Sequence, residues 1–467
     1  MGRTSIMMVL AFNVIFMIIG FRISSMSSSA YNKYLTYYSI EQASLAAESG
    51  VNIAISNSFF AKATAIPSAA FSSGTGINGT IAITKTAIQS LSNDTIGFNL
   101  TSTSTDDNST IITKVRVQGQ SFAQYGMFTA NENSISWQTG DTCFGPYHTQ
   151  DNIKCTGTPR FYGQTSTNGK VSGGTPYFKY PLVPNTNVPL DGNFDDLKAY
   201  GAVGGANYTG VKVFVQFNGD GTITVRTTTN ASTADGWAAS GTGFSTGSIK
   251  ACTTYANVAA LTSNGVLLVN GSELHVKGQL NNVQITLGCI GTGSMVMIDS
   301  SVVYKTTPPG GPPCARNTSL VCNSMLGIVS ENNIWVTDTQ HPNATNKTSD
   351  GAPTVINHTP ANNNNAGDVT IHATMYSSTA GFGAENYSTR GDNGTLRVVG
   401  GIQEANRMAV ASGTTEGFLK SYDYDLNLQY SSPKAYPLTR FLITNWTDST
   451  IIKDQSFWNG ENIKTNF

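Results

Sequence analysis

The chain has 467 residues, 27 Lys and Arg against 28 Asp and Glu, and only 12% charged residues. A formal net charge of −1 without a basic stripe speaks against a nucleic-acid partner, since phosphate binding needs clustered cations. The 47 glycines, with abundant Asn, Ser and Thr, suit many short strands joined by tight turns.

The chain opens with "IMMVLAFNVIFMIIGF", residues 6–21, apolar apart from Asn13 and Gly20 and flanked by Arg3 and Arg22. Three readings fit. The run is shorter than the roughly 20 residues of an ordinary membrane span. A secretory leader has a short apolar core and a small-residue cleavage site, and Ser28-Ser29-Ala30 offers one. Arg22, directly behind the run, is unusual inside a cleaved leader. The third reading comes from residues 23–57, which hold no proline and only Gly50. Tyr31, Leu35, Tyr38 and Leu45 recur there at helical intervals. Glu41 and Glu48 share a face. One helix from Thr4 to Asn57 is expected, about 80 Å long. Its apolar half, Ile6, Met7, Val9, Leu10, Phe12, Val14, Ile15, Phe16, Ile18, Ile19 and Phe21, must then lie in lipid or against copies of itself.

The polar start, the apolar run and "YYSIEQASLAAESGVNIA" resemble the N-terminal helix of type IV pilin-like proteins, minor-pilin-like ones in particular, over residues 1–60. The resemblance implies a subunit held in the inner membrane and then packed, helix against helix, into a homo-oligomeric helical filament. It implies the pilus assembly machinery as partner and an extracellular, cell-surface location. Most pilins carry a glutamate at the fifth mature position, whereas cutting after Gly2 puts Met7 there. The helix is therefore expected either uncut or shorn of Met1-Gly2 alone.

Residues 59–125 mix strand-like pieces, "TIAITKTAI" and "TIITKVRVQG", and read as a small β-rich shoulder. Residues 126–420 carry short alternating strands stopped by Gly or Asn, such as "GVLLVNG", "VQITLGCI" and "GSMVMIDSSVVY". Strands at regular spacing suggest a solenoid, a barrel or a sandwich. The expected fold is mainly β: a long N-terminal helix, then a parallel β-helix, with a β-sandwich as the alternative. "VKVFVQFNGDGTITVRTTT" is a strong hairpin signal, and residues 191–262 read as an excursion from the main body. Residues 307–323, "TPPGGPPCARNTSLVCN", read as an inserted loop. Residues 421–467 read as a cap or contact segment for the exposed strand edge. The phrases "GPYHTQDNIKCTGTPRFYG" and "LGIVSENNIWV" resemble bactofilin-like β-solenoids and solenoid domains of pilin-like surface proteins.

The six cysteines fall as neighbours: Cys143 with Cys155, Cys252 with Cys289, Cys314 with Cys322. An even count behind an apolar N-terminus suggests disulfides. Fifteen pairings exist for six cysteines, and zinc is the alternative, although no C-x-x-C pair is present. Asp191, Asn193 and Asp195 in "DGNFDD" place oxygen ligands at alternate positions, a weak calcium candidate beside the ordinary reading of an acidic turn. Asp141, Asp151, Glu331 and Asp338 would have to converge to make a glycosidase, and nothing in their spacing requires it. His148 reads as a structural histidine. The pattern N-x-S/T occurs at Asn78, Asn93, Asn99, Asn108, Asn207, Asn230, Asn270, Asn317, Asn343, Asn346, Asn357, Asn386, Asn393 and Asn445, all candidate glycosylation sites. No nucleotide, haem or nucleophile motif is found, so neither an enzyme nor a cofactor is expected. The sequence thus points to a structural filament subunit. The alternative is a membrane-anchored surface protein or minor, tip-located pilin, acting as an adhesin or binding surface glycans.

Overall fold

A computed structural model describes residues 2–60, 80–87, 97–106, 109–190, 192, 194–230, 249–305, 323–337, 368–385, 387–388, 394–412, 416–429 and 431–452. The chain is mainly β, with a long N-terminal helix followed by a strand-rich part. It divides into two compact units. One comprises residues 1–90, 96–119 and 440–467, the other residues 91–95 and 120–439.

In the first unit, α1 runs without a break from Gly2 to Phe60, 59 residues, slightly longer at both ends than expected. The absence of proline permits this, because a ring in the helix interior would remove a hydrogen bond and clash with the preceding turn. Three strands follow: β1 (Thr80–Ala87), β2 (Gly97–Asp106) and β3 (Ser109–Ser121). β1 and β2 pair antiparallel from Thr80↔Thr105, and β2 and β3 from Asp106↔Ser109. Leu438–Ile452 is the fourth strand, beside β3. Residues 438–452 therefore belong to this sheet, which departs from the expectation that residues 421–467 form a cap. Along the C-terminal half of α1, Ala43, Ala46, Ala47, Val51 and Ala54 are fully buried. Their spacing of three and four residues puts them on one face. Being small, they allow close approach, and Ala43 and Ala47 form a core with Ile111 of β3.

The second unit is a stack of parallel ladders. One ladder runs through Ala206–Thr209, Val266–Asn270, Gln284–Ile290 and Met325–Ser330. It continues through Val369–Ser377, Thr395–Asn406, Met127–Asn131, Tyr147–Thr149 and Thr165–Thr167. A second runs from Val211–Asn218 through Glu273–Leu280 and Met295–Tyr304 to Ile334–Val336 and Phe382–Ala384. A third joins Leu419–Tyr424 to Thr395–Asn406 on one side, and to Thr142–Cys143, Arg160–Phe161 and Tyr177–Phe178 on the other. Many of these strands pair with the strand two further along the chain, so each needs only a few inward residues. The inward column Leu267, Leu287, Ile328, Met375, Ile402 follows directly from the register. These side chains belong to one core cluster with Val213, Val276, Ile298 and Val398.

The stacking order is not the sequence order. Residues 127–186 extend the stack beyond Thr395–Asn406, and residues 187–205 lead back to its far end, where Ala206–Thr209 begins. Helix Asp195–Ala202 lies on this return, with Leu197 packed over the outward faces of Leu268 and Gly288. The NGDG hairpin is present: Val211–Asn218 and Ile223–Thr229 pair antiparallel from Phe217↔Ile223. Gly219 and Gly221 take φ of 76° and 98°, the left-handed backbone that a tight turn asks of glycine. It is not an excursion, however, because Val211–Asn218 also pairs in parallel with Glu273–Leu280.

Candidate functional site

Among the described residues, the longest run of exposed large apolar side chains belongs to α1. From Ile6 to Phe21 its large side chains are between 47% (Ile19) and 80% (Phe21) exposed. All eleven residues expected to drive assembly lie on this stretch, with no charge between Arg3 and Arg22. Among the described residues α1 is the one helix long and apolar enough to cross a membrane. Exposed apolar area on this scale is rare on a monomer in water and marks a contact with lipid or with other chains.

Two clusters of buried charge occupy the second unit. The first lies where Thr395–Asn406 meets Met127–Asn131. Arg407 Nη1 is 2.6 Å from Glu132 Oε2, and its guanidinium sits 4.3 Å over the Trp137 ring. Tyr147 donates its hydroxyl to Glu132 Oε1 at 2.6 Å, and Thr129 Oγ1 donates to the same oxygen. Both carboxylate oxygens are thus occupied, as a buried charge requires. Glu404 faces inward one layer away and accepts the Phe382 N–H at 2.8 Å. Burial pushes its carboxyl up to about 8, so it is mostly protonated at neutral pH. A cavity of about 80 Å³ opens between Met127, Phe382, Glu404, Arg407, Lys420 and Tyr422. That is well below the roughly 300 Å³ of the smallest usual ligand pockets.

The second cluster is on the strands Val211–Asn218, Glu273–Leu280 and Met295–Tyr304. Lys212 Nζ is 3.0 Å from Glu273 Oε2. His275 Nε2 is 3.4 Å from that same oxygen, and its Nδ1 is 2.7 Å from Asp299 Oδ2. The ring stacks on Phe214 at 4.2 Å and 13°. Burial by itself lowers the basicity of His275, but the Asp299 and Glu273 carboxylates outweigh it and hold the ring up to about 10. These side chains alternate with Val213, Leu274 and Val276 of the core, and so point to the opposite face. They are nonetheless buried, His275 and Asp299 to 1% exposure.

A third feature is a strip of rings on the outside of the stack. Phe144 and Tyr162 stack at 5.1 Å and 7°, and Tyr162 meets Tyr177 at 6.1 Å. Phe144, Tyr177 and Tyr180 are exposed.

The other sequence candidates are scattered. Cys143, Cys155, Cys252 and Cys289 are free thiols, so two of the expected disulfides are not formed. Cys143 pairs in register with Phe161, whereas Cys155 bridges to Trp137 on another face. Cys252 is exposed opposite Arg226, while Cys289 points into the core. Burial pushes the Cys143 thiol up to about 12. Cys314, Cys322 and nearly all of the loop 307–323 lie outside the described residues. So do Asp191 and Asn193, whereas Asp195 opens helix Asp195–Ala202. Among the described residues no group of metal-ligating side chains converges. Asp141 bonds the Gln138 N–H and faces Lys420 at 3.8 Å. Asp151 accepts from Glu132 N, and Glu331 from Gly291 N at 2.6 Å. These carboxylates secure loops at separate places, and Asp338 lies outside the described residues. His148 is buried, with Nδ1 2.8 Å from Ser166 Oγ and its ring against Phe128. Of the sequons, Asn207, Asn230, Asn270 and Asn445 are exposed, and Asn99 lies in β2. Asn78, Asn93, Asn108, Asn317, Asn343, Asn346, Asn357, Asn386 and Asn393 lie outside the described residues.

The sequence reading missed Lys212, Glu273, Asp299, Glu132 and Arg407. Glu132 and Arg407 are 275 positions apart, and no local pattern links them. "ELHVK" did place Glu273 and His275 on one face by strand alternation, which was the available signal.

No family model matches the chain, and no curated protein matches it significantly. Among solved structures it is similar to the competence-associated pilin ComZ from Thermus thermophilus. The TM-score is 0.32 at 11% identity, over 83% of this chain and 87% of that one.

Proposed function

We propose that this chain is a structural subunit of an extracellular, pilin-like filament, assembled through the apolar half of α1. One observation carries the proposal: a single continuous helix is buried by its own unit only over its second half, leaving Ile6–Phe21 bare. Burial of that surface, first in the inner membrane and then against copies of itself, drives assembly at about 25 cal/mol per Å². The pilus assembly machinery moves the subunit from one to the other. We read the parallel ladders as a β-helix that displays its faces outward, with the exposed sequons available for glycosylation. The chain is not an enzyme on this reading.

Electron microscopy of material sheared from producing cells, with mass spectrometry of the same fraction, tests the proposal. Regular filaments containing this chain with residues 3–57 intact are expected. Val9→Asp or Ile15→Lys places a charge mid-run, costing about 3 kcal/mol in a bilayer, and abolishes both membrane residence and assembly. Filaments from either variant would overturn the proposal.

The strip Phe144–Tyr162–Tyr177 favours a second reading, a membrane-anchored surface protein or tip pilin whose rings take a glycan or act as an adhesin. On that reading no filaments form, the chain stays in the membrane pellet, and Phe144→Ala with Tyr177→Ala abolishes glycan retention.

A further inference from the structure

The Lys212–Glu273–His275–Asp299 cluster belongs to the second unit and not to the apolar half of α1. We propose that it is a self-modification site, at which Lys212 and Glu273 become joined side chain to side chain by an amide bond.

The strands holding the two residues are locked in parallel register by Val213↔Leu274 and Val215↔Val276. This brings Nζ to 3.0 Å from Oε2, and such preorganisation removes the entropic cost of meeting. Lys212 and Glu273 are 4% and 8% exposed. In water an ammonium and a carboxylate are more stable than their amide. Away from water that preference weakens, because two charges must stay desolvated while the amide carries none. His275 Nε2 touches the same oxygen as Lys212. It is the group placed to move protons between nitrogen and departing oxygen. Asp299 is a positioning residue: it holds Nδ1 at 2.7 Å, and Phe214 fixes the plane of the ring.

The step balances without a co-reactant. Lys212 Nζ bonds to Glu273 Cδ, and one Cδ–O bond breaks. That oxygen leaves as water, carrying two of the ammonium protons relayed by His275. The remaining proton stays on the amide nitrogen. Nothing is oxidised or reduced.

A tryptic digest of the purified full-length chain, after unfolding, distinguishes the outcomes. A cross-linked chain is not cut after Lys212 and yields a branched peptide, residues 199–226 joined to 251–277, lighter than the sum of its parts by one water. Glu273→Gln gives the same branch with ammonia leaving in place of water. Lys212→Arg gives linear peptides only. His275→Phe or Asp299→Asn slows bond formation by about 100-fold, so freshly made protein is mainly linear while its fold, followed by circular dichroism, is retained. Cleavage after Lys212 in aged wild-type protein, with linear 213–226 and 251–277 as the products, would overturn the proposal.

Discussion

Arg407 and Glu132 each depend on the other. Both are buried, and their 2.6 Å contact replaces the water that each charge has lost. Arg407→Ala leaves the buried Glu132 carboxylate without its counter-ion, and should cost about 3–5 kcal/mol in denaturant unfolding. Lys154→Ala is the control: its 3.9 Å contact with Asp151 is about one-third exposed and should be worth less than about 1 kcal/mol. Two other buried groups make stability depend on pH, with opposite signs. Burial lowers His148 from 6.5 to about 4 in the folded chain. Its contribution is complete above pH 6.5 and is lost as pH falls towards 4, by about 3 kcal/mol at most. Glu404 rises from 4.5 to about 8. Its contribution is complete below pH 4.5 and is lost as pH rises through 8. His148→Phe should flatten the acid side of a plot of unfolding midpoint against pH, and Glu404→Gln the alkaline side. The structural role of His148 was legible in its Gly-rich surroundings, but its partner Ser166 was not. That pairing depends on layers stacking 18 residues apart.

Single elements were more legible than single contacts. The proline-free start is a helix because every residue in it tolerates helical backbone, and alternation in "VKVFVQF" is a strand because one face must be apolar. What alternation does not reveal is how many neighbours a strand has. Val211–Asn218 pairs with the following strand and also with Glu273–Leu280, so a segment that reads as a free hairpin is part of the stack. Two substitutions test the packing of elements. Gly288→Val would place a side chain where an added Cβ already meets Leu197 at 2.8 Å and Leu268 at 2.9 Å. It should loosen helix Asp195–Ala202 and cost about 1–3 kcal/mol of stability. Ala47→Phe forces a ring between α1 and Ile111, and should lower the melting temperature without altering membrane residence, which the proposed function assigns to the other half of α1.

At the scale of the whole molecule, the amphipathic division of α1 was legible and the order of the stack was not. Thr395–Asn406 pairs with Met127–Asn131, and no short-range signal announces a partner so far back in the chain. The pairing makes residues 127–186 dependent on the rest of the unit. Phe128→Ala removes a ring set edge-to-face against Phe122 at 4.9 Å and should raise amide exchange across residues 127–186 before it affects residues 266–304. The ends of the unit meet beside this junction: Phe122 N–H donates to Pro437 O at 3.0 Å. Beyond them, Thr439 Oγ1 donates to Gln120 O, and Thr447 and Ser449 reach Lys114 O and Ile112 O. One strand thus descends in number as the other rises. β3 and Leu438–Ile452 are adjacent strands of one sheet, and residues 122–437 separate them in the chain. In sequence, the stack is thus a guest inserted between two paired strands of its host. Excision of residues 122–437 and their replacement by a two-residue turn should leave α1 and its four strands folded, and other guests could be seated at the same point without redesign of the host.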